Sequence, residues 1–440
     1  MIQFLNMSKA VFSDLYIRIF RVAPGEMTLK FWKNVTTSFV GEGGVIFISL
    51  FVYILSVRYL GPTEFGKWSL VGSTGELLAI LPLMGLASAS LVFLGKGSFD
   101  QKKLVGSVIW TVVVLSIILF PSYLALESVV SPLIKIDSQL LIAGIIYAFF
   151  FLWAQLFQAF FKGTDQFRKL SKFLILSAVI FATITITSLL VFKVNTFESL
   201  LWGNIARTLS LILAGLIVFR ESILYFSMPI FKTVSSYGTL SMLSAILGFL
   251  SLGSIDNLMI NHYLDINSVG IYAAYYIIFS LVVGKVLGTV LQVFLPLVAK
   301  VEDLRPTLKK IAILLIPSSI ILFVLSILAT KVAFIFYGGA FVFDISIAAL
   351  VSLAATIYFL KAPFESILVS RGISGMKFGP LIALVLGVSN VVFNMLLIPP
   401  FGLHGAAIGT GLSALIALLL IFYLIHKNFI SQKPLHTLKT

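Results

Sequence analysis

Charged residues are scarce in this sequence. Only 11% of its 440 residues are charged, whereas 59% are hydrophobic. A soluble domain carries about a quarter charged residues. A water-soluble fold of this length cannot bury so much apolar surface, so the excess must face lipid. The composition therefore excludes an ordinary cytosolic enzyme and predicts a membrane protein.

Cysteine is absent altogether, which excludes disulfides, thiolate metal sites and cysteine nucleophiles. The few histidines lie near predicted loops or in the tail, without the spacing of a metal site. The sequence also lacks a Gly-rich loop followed by Lys-Ser/Thr, and no Ser/His/Asp set or carboxylate pair stands on an exposed loop. We predict that the chain is not an enzyme or a nucleotide-driven motor, and that it holds no metal or resident cofactor.

Acidic residues are outnumbered, because 17 Asp and Glu stand against 31 Lys and Arg, a net charge of +14. In a soluble protein this excess would indicate a nucleic-acid partner. Here the basic residues lie in short loops between apolar runs, which indicates membrane lipid headgroups instead, and no nucleic acid. Residues 1–34 mix charges with apolar residues at helical spacing and do not resemble a signal peptide. We predict that 1–34 form an amphipathic segment on the cytoplasmic membrane surface.

Long apolar runs dominate the rest of the chain. A bilayer core about 30 Å thick requires about 20 apolar residues of helix, and twelve stretches meet this length. They are 35–57, 68–94, 104–126, 140–161, 173–192, 200–219, 237–261, 270–299, 311–329, 346–368, 380–399 and 405–426. We therefore expect an all-α, polytopic membrane protein with twelve transmembrane helices.

The distribution of Lys and Arg supports this number of spans. With the N-terminus inside, most of the 31 basic residues fall in segments predicted to be cytoplasmic. The predicted outer loops contain only Arg58, Lys67, Lys135, Lys193 and Lys331. A missed span would place every later loop on the opposite side of the membrane and remove this asymmetry. The pattern predicts a multi-pass protein of the cell membrane with both termini cytoplasmic.

The spans divide into two groups of six. We expect an N-terminal bundle over 35–219 and a C-terminal bundle over 237–426. An amphipathic cytoplasmic linker, 220–236, joins them, and residues 427–440 form a cytoplasmic tail.

The two groups share a repeated motif. RYLGPTEFGKWS (58–69) matches HYLDINSVGIYA (262–273) at a constant offset, so that Gly66 corresponds to Gly270. Because six spans return the chain to the same side, both halves have the same orientation. The sequence thus predicts two parallel six-helix bundles around a central cleft.

Three motifs carry a resemblance to a known family. They are YLGPTEFGKWSL (59–70), IDNLMINHYLDINSVGIYAAYYII (255–278) and FGLHGAAIGTGLS (401–413). The chain resembles the Wzx-like polysaccharide biosynthesis flippases of the MOP (multidrug/oligosaccharidyl-lipid/polysaccharide) exporter superfamily. The resemblance implies a transporter that flips an isoprenoid-diphosphate-linked oligosaccharide to the outer leaflet for cell-surface polysaccharide biosynthesis. It also implies a polysaccharide polymerase or glycosyltransferases as working partners. Lipid II flippases of the same superfamily typically have fourteen spans, which argues against that branch.

Charged and amide side chains inside the spans are the candidate site residues, because such groups usually face a wet interior. For the substrate we select the cations, which suit a diphosphate, and amides, which suit sugars. These substrate-cavity candidates are Arg207, Lys285, Lys361, Gln155, Gln158 and Gln292. The carboxylates are candidates for binding H⁺ or Na⁺ and so coupling transport to an ion gradient. These are Glu42, Glu76, Asp256 and Glu365.

Several alternatives stay open at this point. Lys361 and Glu365, four residues apart, are as well explained by a helical ion pair as by substrate contact, and Asp256 is close enough to its span's end to be interfacial. An H⁺- or Na⁺-coupled drug or metabolite exporter of the same superfamily would share the architecture. A membrane glycosyltransferase or glycan ligase is less favoured, since the predicted outer loops are all short.

Overall fold

The computed structural model of the chain describes residues 25–251, 253–284, 304–369 and 377–430, together with positions 14, 287, 288 and 291. All regular secondary structure in these ranges is helical. The α-helices are α1 (Glu26–Leu83), α2 (Leu86–Lys96), α3 (Gln101–Ile134), α4 (Ser138–Gly163), α5 (Phe167–Leu190), α6 (Glu198–Phe219), α7 (Met228–Leu250), α8 (Gly253–Tyr263), α9 (Ile266–Ile278), α10 (Leu304–Tyr337), α11 (Ile345–Val369) and α12 (Phe378–Ile425). A 3₁₀-helix, Arg220–Leu224, follows α6, and π-helical turns follow α9 and α12. Most of the predicted surface segment 1–34 and of the tail 427–440 lies outside the described residues.

The length and apolar composition of the helices suit a lipid bilayer. Within the described ranges, nine of them are long and apolar enough to cross a membrane, and α2 and α9 are shorter apolar helices. In hydrocarbon the backbone N–H and C=O groups must be satisfied internally, which a helix achieves within one segment. The predicted all-α, polytopic membrane fold is confirmed.

Two helices each contain two predicted spans. α1 is interrupted at Gly61, whose φ is 70°, and α12 at Gly402, whose φ is 58°. Both values lie in the left-handed region, which glycine enters without the steric cost that a Cβ brings. These interruptions fall where the sequence predicts loops, between 35–57 and 68–94 and between 380–399 and 405–426.

Two predicted spans are broken instead. The span 68–94 contains the end of α1 and most of α2, and the two helices are separated at Met84 and Gly85, whose φ values are 45° and 64°. A Cβ on Gly85 would lie 2.3 Å from the Gly238 carbonyl oxygen, so the break brings the backbone against α7. The span 237–261 likewise comprises most of α7 and most of α8.

The predicted linker 220–236 is shorter than expected. Only the 3₁₀-helix Arg220–Leu224 and three further residues precede α7, which begins at Met228. The 3₁₀-helix packs on the start of α3, where Lys102 Nζ lies 2.6 Å from a Glu221 carboxylate oxygen. Trp110 Nε1 also donates to the Ile223 carbonyl over 2.9 Å.

The two halves meet along residues 62–83 of α1, which pack against α4 of their own half and α8 and α9 of the other. At the predicted outer end the backbones touch. A Cβ on Gly66 would lie 2.0 Å from the Ile266 carbonyl oxygen, and one on Gly270 would lie 1.8 Å from the Pro62 carbonyl oxygen. Gly66 corresponds to Gly270 in the repeat, and Pro62 to Ile266. The contact therefore has the two-fold symmetry that the repeat predicts.

Candidate functional site

A cavity of about 510 Å³, called the main cavity below, lies among α1, α4, α5 and α6. Most of its wall belongs to the first half, and three positions of the second half, 280, 284 and 288, complete it. Its polar lining consists of Ser49, Tyr53, Glu76, Tyr147, Gln155, Gln158, Lys162, Asn204, Arg207, Thr208 and Ser280. The structure thus brings together four of the predicted site residues, which are Glu76, Gln155, Gln158 and Arg207.

Arg207 projects from α6 into this cavity. Its Nη1 lies 3.4 Å from Ser49 Oγ, and its guanidinium carbon lies 5.7 Å from the centre of the Phe181 ring. Among the residues that the structure describes, no carboxylate forms an ion pair with it. The hydroxyl and the ring orient the guanidinium without neutralising it, so its charge remains available to an anionic ligand.

The cavity face of α4 carries Gln155, Gln158 and Lys162, which are spaced three and four residues apart and so share one side of the helix. Lys162 lies in the last helical turn, at the predicted cytoplasmic end. Within the described part of the wall, two cations face one carboxylate. The field of the cavity therefore favours an anion.

Glu76 joins the two halves of the protein. Ser254 Oγ, at the start of α8, donates to Glu76 Oε2 over 2.6 Å. Three residues earlier on α1, Ser73 Oγ accepts from the Asn257 side-chain amide over 3.1 Å. Because these two bonds cross between the halves, any motion that separates the halves here must break them.

A second cavity of about 210 Å³, called the aromatic chamber below, lies at this seam next to the main cavity. The two share Tyr53, Glu76, Tyr147 and Ser280. Both halves contribute to the chamber wall. The ring-bearing residues of the wall are Tyr53, Phe65, Trp68, Tyr147 and Tyr276, and its other polar residues are Ser69, Ser73, Glu76, Ser254, Asn257 and Ser280.

Asp256 lies outside both cavities and is completely buried. Its Oδ1 accepts from the side-chain amides of Asn390 and Asn394 over 3.0 and 2.7 Å. Its Oδ2 accepts from the hydroxyls of Tyr272 and Thr410 over 3.0 and 2.9 Å. Asp256 is therefore enclosed by protein rather than exposed at the surface.

The surroundings of Asp256 are rich in oxygen and poor in positive charge. No Lys, Arg or His pairs with it among the described residues. Asn394 Oδ1, on one of its partners, is buried without a hydrogen-bond donor. A buried carboxylate without a countercharge is costly. A proton on the carboxylate, or a small hard monovalent cation bound beside it, would balance this charge.

Lys361 and Glu365 form an ion pair on α11. Lys361 Nζ lies 2.5 Å from Glu365 Oε2 and 5.6 Å from the centre of the Tyr358 ring. Lys361 is only 6% exposed, and neither residue lines the main cavity or the aromatic chamber. The geometry favours the helical ion pair over the substrate contact.

Three predicted site residues have no side chain among those described. Lys285 and Gln292 lie outside the described residues, and the backbone of Glu42 lies in α1 while its side chain is outside them.

Several polar residues of these sites escaped prediction. Asn390 and Asn394 stand four residues apart in the apolar helix α12, and Asn204 stands three residues before Arg207 on α6. An amide inside an otherwise apolar span is costly without a partner. That rule identifies such residues in the sequence as candidates, but it does not say which partner each one meets.

The sequence is similar to a known protein family, and the fold is similar to those of known proteins. A family model described as "Polysaccharide biosynthesis protein" matches residues 31–302. No curated protein matches the sequence.

Solved transporter structures share the fold at low sequence identity. An inward-facing multidrug resistance MATE family transporter of the MOP superfamily aligns with a TM-score of 0.62 and 14% identity, over 88% of this chain and 96% of its own. The inward closed conformation of the lipid II flippase MurJ aligns with a TM-score of 0.60 and 14% identity, over 89% and 88%. An outward-facing MATE family transporter gives a TM-score of 0.54 at 14% identity, over 90% and 96%.

Proposed function

We propose that this chain, which belongs to the polysaccharide biosynthesis protein family, flips an isoprenoid-diphosphate-linked oligosaccharide from the cytoplasmic to the outer leaflet of the cell membrane. The main cavity supports this proposal. It places Arg207 and Lys162 beside two glutamines within a membrane-spanning bundle. This combination of cations and amides matches a ligand that has an anionic diphosphate and neutral sugars.

The cations lower the barrier that the headgroup meets in the membrane. A diphosphate with about two negative charges cannot enter hydrocarbon without a large desolvation cost. Arg207 and Lys162 replace part of its hydration with charge-assisted hydrogen bonds. Gln155 and Gln158 offer both donors and acceptors to sugar hydroxyls. The isoprenoid chain stays in the bilayer, so only the headgroup passes through the protein, and no covalent bond changes.

Transport proceeds by alternating access. The seam is closed at the predicted outer end, where the Gly66 and Gly270 backbones touch and Ser254 bonds to Glu76. The TM-score is higher for an inward-facing MATE transporter, 0.62, than for an outward-facing one, 0.54. Both observations support a state that is closed toward the outside. Rocking of the two bundles would separate the seam and release the headgroup into the outer leaflet.

The coupling ion binds at Asp256, as H⁺ or Na⁺. The carboxylate receives its bonds from α9 and α12 and itself lies on α8, so a bound cation holds these helices together. The unpartnered Asn394 Oδ1 supplies a further oxygen ligand. Binding or release of the ion would therefore change how the second bundle packs. Glu76, at the seam, is the second group through which an ion can act on closure.

A multidrug exporter is the competing assignment, because MATE family transporters share this fold. The cavity argues for the flippase. A cavity for cationic drugs requires excess negative charge, whereas the described wall has two cations and one carboxylate. Enzymes that assemble the lipid-linked glycan and a polymerase that consumes it are the expected partners of a flippase.

A binding measurement tests the proposal. The full chain in nanodiscs of neutral lipid is titrated with farnesyl diphosphate and, separately, with the lipophilic cation tetraphenylphosphonium. Loss of a hydrogen bond to a charged group lowers affinity by about 10- to 100-fold. We expect Arg207→Ala to weaken farnesyl diphosphate binding by that factor.

The matched control is Lys169→Ala, which removes an exposed lysine that does not line the main cavity. This variant should bind like the wild type. Tight binding of the cation probe, with diphosphate binding absent or insensitive to Arg207→Ala, would establish the exporter instead.

A further inference from the structure

We infer that the aromatic chamber is a saccharide subsite that receives the neutral sugar attached to the diphosphate. This inference rests on the proposed function and deepens it. The main cavity and the chamber share walls at Tyr53, Glu76, Tyr147 and Ser280, so one ligand can occupy both. The two compartments bind different parts of this ligand, because their walls carry different side chains.

The rings of the chamber suit a pyranose. A sugar ring presents apolar C–H faces and a rim of hydroxyls, and Trp and Tyr offer a flat apolar face with a polar edge. Trp68 and Tyr147 meet edge to face, with ring centres 5.4 Å apart and planes at 71°. Both side chains are more than nine-tenths buried, so the protein fixes their orientation. Two such rings form a rigid corner against which a sugar ring can pack.

The polar residues of the chamber can form hydrogen bonds with the hydroxyl groups of a sugar. Asn257 uses one side-chain N–H for Ser73, which leaves its amide with a second N–H and a carbonyl oxygen for a ligand. Ser69 donates to the Phe65 carbonyl within its own helix and still accepts through its hydroxyl oxygen. Donors and acceptors that would otherwise stay unpaired discriminate strongly against a ligand that lacks the matching hydroxyl.

Charge separates the two compartments. Glu76 lines both compartments, whereas Arg207 and Lys162 line only the main cavity, and no Lys or Arg lies in the described wall of the chamber. A diphosphate is therefore disfavoured in the chamber and favoured beside Arg207 and Lys162. Without a cation in its described wall, the chamber offers no countercharge to a uronic acid and suits a neutral sugar.

Both halves of the protein contribute side chains that contact the sugar in the chamber. Trp68 and Tyr147 belong to the first half, and Asn257 and Tyr276 belong to the second. A sugar bound there contacts both halves at the point where they must separate. Recognition of the correct glycan and opening of the seam therefore involve the same residues.

The test compares two kinds of probe on the full chain in neutral nanodiscs. The first is bare farnesyl diphosphate. The second is a panel of farnesyl diphosphates that each carry one glucose, galactose, N-acetylglucosamine or N-acetylgalactosamine. We expect the best member of the panel to bind more tightly than the bare lipid. Trp68→Ala should weaken that member by about tenfold, equivalent to about 1.4 kcal/mol, and leave the bare lipid unchanged. Arg207→Ala should weaken both probes.

Controls separate recognition from folding. Trp202→Ala removes an equally large ring that is 56% exposed and lines neither cavity, and it should change neither probe. If Trp68→Ala does not fold, Trp68→Phe and Asn257→Ala provide the same comparison. The inference is overturned if no sugar-bearing probe exceeds the bare lipid, or if the folded chamber variants weaken both probes equally. Failure of the proposed function looks different, because Arg207→Ala would then leave both probes unchanged.

Discussion

Thr63 and Asn267 occupy the same position in the two halves of the internal repeat, and their side-chain oxygens Oγ1 and Oδ1 lie 3.5 Å apart. A contact between equivalent positions lies on the axis that relates the two halves. The glycine contact beside it, Gly66 with Gly270, obeys the same symmetry. The motif that made the repeat visible in the sequence therefore also forms the seam between the bundles.

A cross-link at this contact should stop transport. The chain has no cysteine, so Thr63→Cys with Asn267→Cys introduces the only thiol pair. Oxidation, or a short bis-thiol reagent, should join the halves and abolish flipping of a fluorescent prenyl diphosphate carrier in proteoliposomes. Cleavage of the link should restore it. Each single cysteine variant serves as a control and should stay active under oxidation. Undiminished flipping by the cross-linked protein would show that the seam does not open.

A side chain at Gly270 should force the seam apart. In Gly270→Ala the new Cβ would lie 1.8 Å from the Pro62 carbonyl oxygen, and backbone on both sides cannot yield. Overpacking of this kind costs about 1–3 kcal/mol, so the variant should unfold at a lower temperature than the wild type. Gly248→Ala is the matched control, since nothing lies within 4 Å of its added Cβ. Equal unfolding temperatures of the two variants would contradict the close contact.

Removal of the Asp256 charge should abolish ion-dependent stabilisation. A ligand at about 100 times its Kd adds about 2.7 kcal/mol to the stability of the state that binds it. We expect the melting temperature of the wild type to rise with Na⁺ relative to choline, or to vary with pH if the ion is H⁺. Asp256→Asn preserves the shape of the side chain and should lose this response. Glu365→Gln, outside the network, should retain it. An unchanged response in Asp256→Asn would place the ion elsewhere.

A double-mutant cycle tests the ion pair of Lys361 and Glu365. Lys361→Met alone leaves a partly buried carboxylate unpaired, which should cost about 1–3 kcal/mol because Glu365 is partly exposed. The double variant, Lys361→Met with Glu365→Gln, should recover most of that stability together with transport. A stable double variant that no longer transports would instead assign Lys361 to the substrate. Thermal unfolding and flipping in proteoliposomes give the two readouts.

Asp344 should make the loop before α11 sensitive to acid. Ser346 donates to its carboxylate through its side-chain hydroxyl and its backbone N–H, over 2.5 and 2.7 Å, and these bonds lower the pKa of Asp344 below its usual 3.8. A lowered pKa adds stability above the unfolded-state value, and this stability is lost as the pH falls through the folded-state value. Asp344→Asn should therefore flatten the dependence of unfolding temperature on pH below about 4. A slope equal to that of the wild type would refute this.

Hydropathy and charge were sufficient to predict the helical membrane fold, and the polarity of Gln155, Gln158 and Arg207 inside apolar spans identified them as candidates for a cavity wall. These features depend on residues within one or two turns of each other. Two predicted spans were wrong as continuous helices. The span 68–94 is broken at Met84 and Gly85, and the span 237–261 is broken near Ser251. Pro82 and Gly85 lie at the first break and Gly253 at the second, but hydropathy stays high across both, so hydropathy alone does not reveal them.

The amino-acid sequence by itself determined that this protein lies in a membrane, that it repeats, and which charges enter its spans, because hydrophobicity and period are local properties of the chain. Only the tertiary structure decided which partner each charged side chain contacts. Asp256 finds its partners 134, 138 and 154 residues away, and the aromatic chamber exists only where two halves face each other. Lys361 and Arg207 are both cations inside apolar spans, yet Lys361 pairs with Glu365 of its own helix, whereas Arg207 lines the main cavity and has no ion pair among the described residues.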